Sequence, residues 1–188
     1  MKGRDLLAEM EAAASRVRLP HLERLRALGV PYESLGALGR DEHTFGAGRA
    51  VLGSDGLFQP DEHGEPVVIQ AVNDDLVRKH GEVGLIDLIA WRTDEPARWW
   101  WRTGSAWALG FELLDGDEPV VVVATPCDWL AAAGRACCIL DWSERSPAWP
   151  AMRAGPPLSF TNDTLRQRVR NALVATAPLP SMEIADVA

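Results

Sequence analysis

The sequence predicts an α+β fold: a mixed β-sheet packed by an N-terminal helical segment, one short internal helix and a C-terminal helix. Three observations lead there. Apolar residues recur with helical spacing at both ends of the chain. Short β-branched and aromatic runs, separated by turn residues, fill the middle from about residue 45 to 142. The 188 residues suffice for one domain with its own core, and a single domain over 1–188 is expected.

Each element has a local cause. Leu6, Leu7, Met10, Ala14 and Val17 make one apolar stripe and predict a first helix. Pro20 suits the first turn of a second helix, whose apolar face is Leu22, Leu25 and Leu28 and whose cap is Gly29. Pro31 opens a third stretch over 32–38, completing a helical segment over 1–40. The stretch GRAVLGSDGLFQP then reads as two short strands around Ser54-Asp55-Gly56. Residues 67–72, 84–91 and 98–102 read as strands. The last two form a hairpin through Thr93-Asp94-Glu95-Pro96.

The run 120–124 reads as a strand buried on both faces. Thr125 as N-cap, Pro126 and Asp128 start a short helix that Gly134 ends. Residues 136–140 are a second buried strand, and the two strands can pair in parallel. Pro147, Pro150, Pro156 and Pro157 mark 143–160 as a linker. Thr161-Asn162-Asp163 are capping residues for a C-terminal helix over 161–176, with Leu165, Val169, Ala172, Leu173 and Thr176 as its buried stripe. Residues 177–188 are expected to form a loose tail.

Composition narrows the function. Nineteen Lys+Arg against 27 Asp+Glu give a net charge of −8, which argues against coating nucleic acid or anionic membrane by bulk electrostatics. The charge is uneven: residues 1–30 and 151–177 are net basic, and 41–90 are strongly acidic. The helical ends are therefore better placed to meet an anionic partner. No apolar run approaches the ~20 residues of a membrane span, and Asp5, Glu9 and Glu11 interrupt any signal-peptide core. A cytoplasmic protein with no membrane partner is expected. Cys127, Cys137 and Cys138 lack pairing spacing and read as small core residues, the last two pointing to opposite faces of a strand.

Most motif candidates have plain explanations. Asp41-Glu42-His43 and Asp61-Glu62-His63 repeat a tripeptide, but no HExxH, CxxC or HxH spacing accompanies them or the other histidines, His21 and His80. They read as solvated turns, and no metal or cofactor is expected. Gly46-Ala47-Gly48, with Gly53, lacks the strand before and helix after that a dinucleotide fingerprint needs, and reads as a turn.

The tryptophans are the strongest signal. All eight lie between residues 91 and 149. Trp91, Arg92, Arg98, Trp99, Trp100, Trp101 and Arg102 interleave indoles with guanidiniums in one predicted hairpin. Such a face can stack single-stranded nucleic acid or anchor a protein partner. It can equally be a core hairpin with arginine stems over buried indoles. Residues 22–40 hold a second pattern, two short helices around Gly29-Val30 that resemble a helix-turn-helix. The supposed recognition helix carries no Arg, Lys, Asn or Gln before Arg40, so it is poor at reading bases. A third reading gathers Asp128, Asp141 and Glu144 around Mg²⁺.

The stretch VVVVATPCDWLAAAGRACCILD, residues 120–141, resembles a primase-type Toprim core. Pro126, Asp128, Leu130 and Gly134 match its spacing. The family's catalytic Glu-Gly falls on Ala124-Thr125, and its acidic pair is reduced to Asp141, with Glu144 three residues on. The resemblance implies a non-catalytic relative. DLIAWRTDEPARWWWRTGSAWALG is similar to uncharacterised proteins of bacterial prophages and mobile elements, which implies an accessory role near phage DNA metabolism. The expected function is thus a non-enzymatic accessory or interaction protein. It would bind a protein partner or single-stranded nucleic acid through the Trp/Arg hairpin. The alternatives are a helix-turn-helix-like regulator and a Mg²⁺-dependent enzyme.

Overall fold

The computed structural model describes residues 5–40, 44–73 and 84–177. Asp41-Glu42-His43, His80 and the expected tail from residue 178 lie outside them. Within the described residues the fold is α+β, with six α-helices and two sheets. None of these helices is long and apolar enough to cross a membrane.

Three helices open the chain: α1 (Leu6–Ser15), α2 (Leu19–Ala27) and α3 (Tyr32–Arg40). The Asp5 carboxylate caps α1 by accepting the Ala8 N–H at 3.0 Å. Gly29, at φ +95°, makes the turn between α2 and α3, a conformation that glycine alone adopts freely.

The first sheet is antiparallel and holds β1 (Phe45–Leu52), β2 (Phe58–Pro60), β3 (Glu65–Asn73), β4 (Leu85–Arg92) and β5 (Glu95–Trp101), in the order β2-β1-β3-β4-β5. The second holds β6 (Ala108–Leu109), β7 (Val120–Val123), β8 (Cys137–Ile139) and β9 (Leu158–Phe160), in the order β6-β8-β7-β9. Between β7 and β8 lies α4 (Pro126–Ala131), so β7, α4 and β8 form the expected strand–helix–strand unit, with its strands parallel. The Thr125 hydroxyl accepts the Asp128 N–H at 3.1 Å, and the Asp128 carboxylate accepts the Thr125 N–H at 3.1 Å, which is a closed capping box.

The strands divide into two sheets because the chain turns sharply after β5. The buried Asp87 carboxylate accepts the backbone N–H groups of Leu88, Thr103, Ser105 and Ala106. This holds residues 103–106 in a bend through Gly104 (φ +81°) and sends β6 to the second sheet.

The stretch 143–160 also departs from the expected linker. It contains α5 (Ala148–Ala154), whose Trp149 and Met152 are buried, and β9, which pairs in parallel with β7. Its prolines are compatible with order because they fall at a helix start and between elements. Val121, expected to be buried, is 40% exposed.

Three apolar clusters build the layers. Met10 and Ala13 of α1 pack on one face of the first sheet, against Ile69, Leu88 and Trp100. The opposite face shares the largest cluster with α2, α3, α4 and the second sheet, through Leu25, Leu35, Trp91, Leu130 and Cys138. The far side of the second sheet packs on α5 and on α6 (Asp163–Ala175), through Cys137, Trp149, Leu165 and Val169. Cys137 and Cys138 thus serve opposite faces, and all three cysteines are free and buried.

Candidate functional site: the open edge of strand β1

The Trp/Arg hairpin folds into the core. Trp99 and Trp101 lie on the face of the first sheet that packs on the largest cluster. Trp100 lies on the face that meets α1. Trp91 is 0% exposed and Trp100 is 4% exposed. Every indole N–H of the hairpin has an internal acceptor: Gln70 Oε1 for Trp91, and the carbonyls of Leu140, Gly53 and Ala106 for Trp99, Trp100 and Trp101. An aromatic platform for stacked bases needs open indole faces. Here the sheet is covered on both sides, so the hairpin supplies core area.

The arginines have internal roles as well. Arg92 pairs with Glu65 and Asp94 at the hairpin tip. Hydrogen bonding to Arg92 holds the Asp94 carboxyl below its usual range. The Arg98 guanidinium lies 4.6 Å from the Trp100 ring centre. Arg102 is 6% exposed and bonds Glu9 of α1. Arg92 and Arg102 are thus ion-paired, whereas Arg98 is exposed and stacks on Trp100.

The other sequence candidates are likewise absorbed. Among the described side chains of α3 the exposed ones are those of Tyr32, Glu33, Gly36, Ala37 and Gly39, a set without a base-reading group. Asp128 is engaged in its capping box, and Asp141 accepts the Ser143 N–H at 2.9 Å. Among the described residues no three His, Cys, Asp or Glu side chains gather as a metal site. The Asp61 carboxylate accepts the His63 N–H at 2.7 Å, as a solvated turn requires.

Gly46-Ala47-Gly48 differs from expectation and is informative. The three residues lie within β1, not in a turn. A Cβ on Gly46 would stand 2.4 Å from the Ala13 carbonyl carbon, so the glycine lets α1 sit directly on the strand. A Cβ on Gly48 would stand 2.6 Å from Ile69 Cδ1.

The neighbours of β1 leave part of it unpaired. On its outer edge β2 pairs with only Ala50, Val51 and Leu52. The chain then donates one more contact, Asp61 N–H to the Arg49 carbonyl at 3.1 Å, and crosses to the inner edge. There β3 pairs with residues 45–50 of β1. Gly64 permits the crossing, because a Cβ there would lie 2.3 Å from the Ala50 carbonyl carbon. One continuous segment thus serves both edges of β1 in turn, and it leaves the outer edge from Phe45 to Gly48 without a strand among the described residues.

Alternation identifies the free groups. Ala71 N–H donates to the Thr44 carbonyl at 2.9 Å, which fixes the register toward β3. The N–H and C=O of Phe45 and Ala47 therefore point to the outer edge. That edge opens into a notch of about 510 Å³. Arg16 and His21 of the α1–α2 corner line it together with Pro60, Asp61 and Glu62. Arg49 and Ala47 form part of its floor. His21 Nδ1 accepts the Arg18 N–H at 3.0 Å and so caps α2, leaving Nε2 as the ring's remaining hydrogen-bonding atom. Arg24 stands beside the notch on α2.

Two signals in the sequence point to this edge. Pro60 ends β2 after three residues, and Gly46-Ala47-Gly48 gives β1 a row of minimal side chains. That both act on the same strand follows only from pairing.

No family model matches the chain, and no curated protein or solved structure shows significant similarity to it.

Proposed function

We propose that this protein is a non-enzymatic interaction module that captures an extended segment of a protein partner by strand addition at the outer edge of β1. The observation that carries the reading is the pairing of only Ala50, Val51 and Leu52 with β2, while β1 begins at Phe45. A strand edge with free N–H and C=O groups is a template for another chain. Here the edge is recessed in a notch between the α1–α2 corner and the β2–β3 crossing. A slender peptide can enter such a recess, whereas a broad surface cannot. An adaptor of this kind suits the mobile-element setting that the sequence resemblance implies.

The burial of Trp91 and Trp100 favours a protein partner over single-stranded nucleic acid. The test is selection of linear peptides from a random display library on the full-length protein, followed by amide hydrogen exchange. A selected peptide is expected to protect the Phe45 and Ala47 amides, while Gly46 and Gly48 change little. Protection confined to other parts of the chain, or no selectable peptide, refutes strand addition.

A further inference from the structure

Resting on that reading, we infer that the segment captured at β1 anchors itself by one aliphatic side chain (Val, Ile, Leu or Met) inserted beside Ala47 into a cavity between α2 and the first sheet. The first argument is the row of side chains on this face of β1. A Cβ on Gly46 would meet Ala13, and one on Gly48 would meet Ile69, both in the α1 cluster. Phe45, Ala47 and Arg49 therefore face the other way, and Phe45 packs against the cluster that holds Leu25 of α2. Phe45 and Arg49 are large, and the methyl group of Ala47 between them leaves a gap in the row.

The gap opens into a cavity of about 60 Å³, several times the ~10–15 Å³ that one water molecule needs. Val17, Leu25, Phe45, Ala47 and Val68 give it apolar walls. Its polar side chains are those of His21, Arg24 and Thr93. Leu25, Phe45 and Val68 belong to the same cluster, so the cavity lies on the α2 face of the sheet. Val17 and Phe45 are only half-buried, and their apolar surface stays uncovered there. Water gains no hydrogen bond from such walls, whereas an aliphatic group covers them.

The second argument is continuity with the edge. His21, Ala47, Gly48 and Pro66 line both the cavity and the notch. The N–H and C=O of Ala47 point to the outer edge, so an added antiparallel strand sets one residue directly opposite Ala47. Directly opposed residues turn their side chains to the same face, with Cβ atoms about 4.5–5.5 Å apart. The residue opposite Ala47 thus delivers its side chain to the face on which the cavity lies. Its two neighbours in the peptide point to the other face.

A second copy of this chain fits the cavity poorly. Its own β1 presents Phe45, Ala47 and Arg49 on that face, and none of these is an aliphatic chain of the required size. Val51 follows in the same row but is already paired with Gln59 of β2.

The experiment reads the peptides selected from the library against amide protection. The wild type is expected to select Val, Ile, Leu or Met at one fixed position and no particular residue on either side of it. Changing that residue to Ala in a selected peptide should weaken binding about tenfold or more, with Phe45 and Ala47 still protected at saturation. Ala47→Leu fills the cavity from the protein's side. It should weaken the selected peptides by a similar factor and, on reselection, turn the fixed position to Gly or Ala. Val17→Ala widens the cavity at the α1–α2 corner and should shift the preference toward Phe. Circular dichroism checks that each variant is folded, and either one suffices for the test.

Peptides that protect Phe45 and Ala47 without a fixed aliphatic position would overturn the anchor and leave strand addition standing. So would a preference unchanged on a folded variant. A failure of any peptide to protect those amides would instead remove strand addition, and the anchor with it. Concentration-dependent dimers that protect the same amides without peptide would name a second copy as occupant and overturn the proposal.

Discussion

The Arg102 guanidinium closes on the Glu9 carboxylate through two contacts, Nε–H to Oε2 at 2.7 Å and Nη2–H to Oε1 at 2.9 Å. Ninety-three residues separate the two in sequence. The pair ties the end of the tryptophan hairpin to α1, and it explains why Arg102 is buried: its charge is matched where the strand leaves the sheet. Fork-on-carboxylate geometry of this kind is specific to arginine.

Removing one partner should therefore be costly. Glu9→Ala leaves the Arg102 guanidinium buried with its carboxylate gone, and about 2–3 kcal/mol of stability should be lost in urea titration. Arg102→Met with Glu9→Leu should cost less than the two single changes added together. Strict additivity would mean that the pair is not coupled.

Asp87 is expected to matter more than its position suggests. Its carboxylate organises four backbone N–H groups, three of them in the bend at 103–106. Asp87→Ala strands those donors and should cost about 3 kcal/mol or more, read as a drop in Tm. Asp87→Asn keeps one acceptor oxygen and should fall between wild type and the alanine variant.

Two glycines make opposite predictions. Gly46→Ala forces a Cβ against the Ala13 backbone and should destabilise by about 1–3 kcal/mol. Gly36 sits exposed in α3 with open space around it, so Gly36→Ala should stabilise by about 0.5–1 kcal/mol. Chemical denaturation of both variants checks the contrast. If both fall by the same amount, the close approach of α1 to β1 does not control this site.

The cysteines should be inert in the native state. Burial pushes the Cys127 thiol up to about 11, the Cys137 thiol up to about 12 and the Cys138 thiol well above its ordinary value. Near pH 8, a thiol reagent should react slowly with the native protein and rapidly after denaturation. The linkage has a definite sign. Unfolded thiols ionise at lower pH than these folded ones, so their contribution is full below the ordinary thiol value of 9.0. It is lost as pH rises through about 11 and about 12. Stability that is flat across that alkaline range would contradict the burial of these groups.

Tryptophan emission provides a further check. With Trp91 and Trp100 buried and four indole N–H groups bonded internally, a single-stranded oligonucleotide should not quench fluorescence at low salt. Strong, salt-sensitive quenching would require the hairpin to open.

Much of the fold was legible because its signals are local. The capping residues at Thr125, Asp128 and Asn162 act within one helical turn, and the structure uses all three as caps. The alternation of Trp99, Trp100 and Trp101 follows from strand geometry alone. The linker reading failed for the same reason. Four prolines in 143–160 are a real local signal for interruption, yet β9 pairs with a strand almost forty residues earlier in the chain.

Local chemistry along the chain was enough to specify most of the helices and strands, though not α5 or β9, and with them the caps and the opposite facing of Cys137 and Cys138. It could not say which strands would share a sheet, which indoles would be covered or which edge would stay open. Those outcomes depend on pairing between distant segments and on two-sided packing. Trp91 is buried because α2, α3, α4 and the second sheet meet over it. The notch exists because the segment after Pro60 leaves one edge of β1 for the other. No window of residues around Trp91 or Ala47 contains that information; the partners that decide it lie elsewhere in the chain.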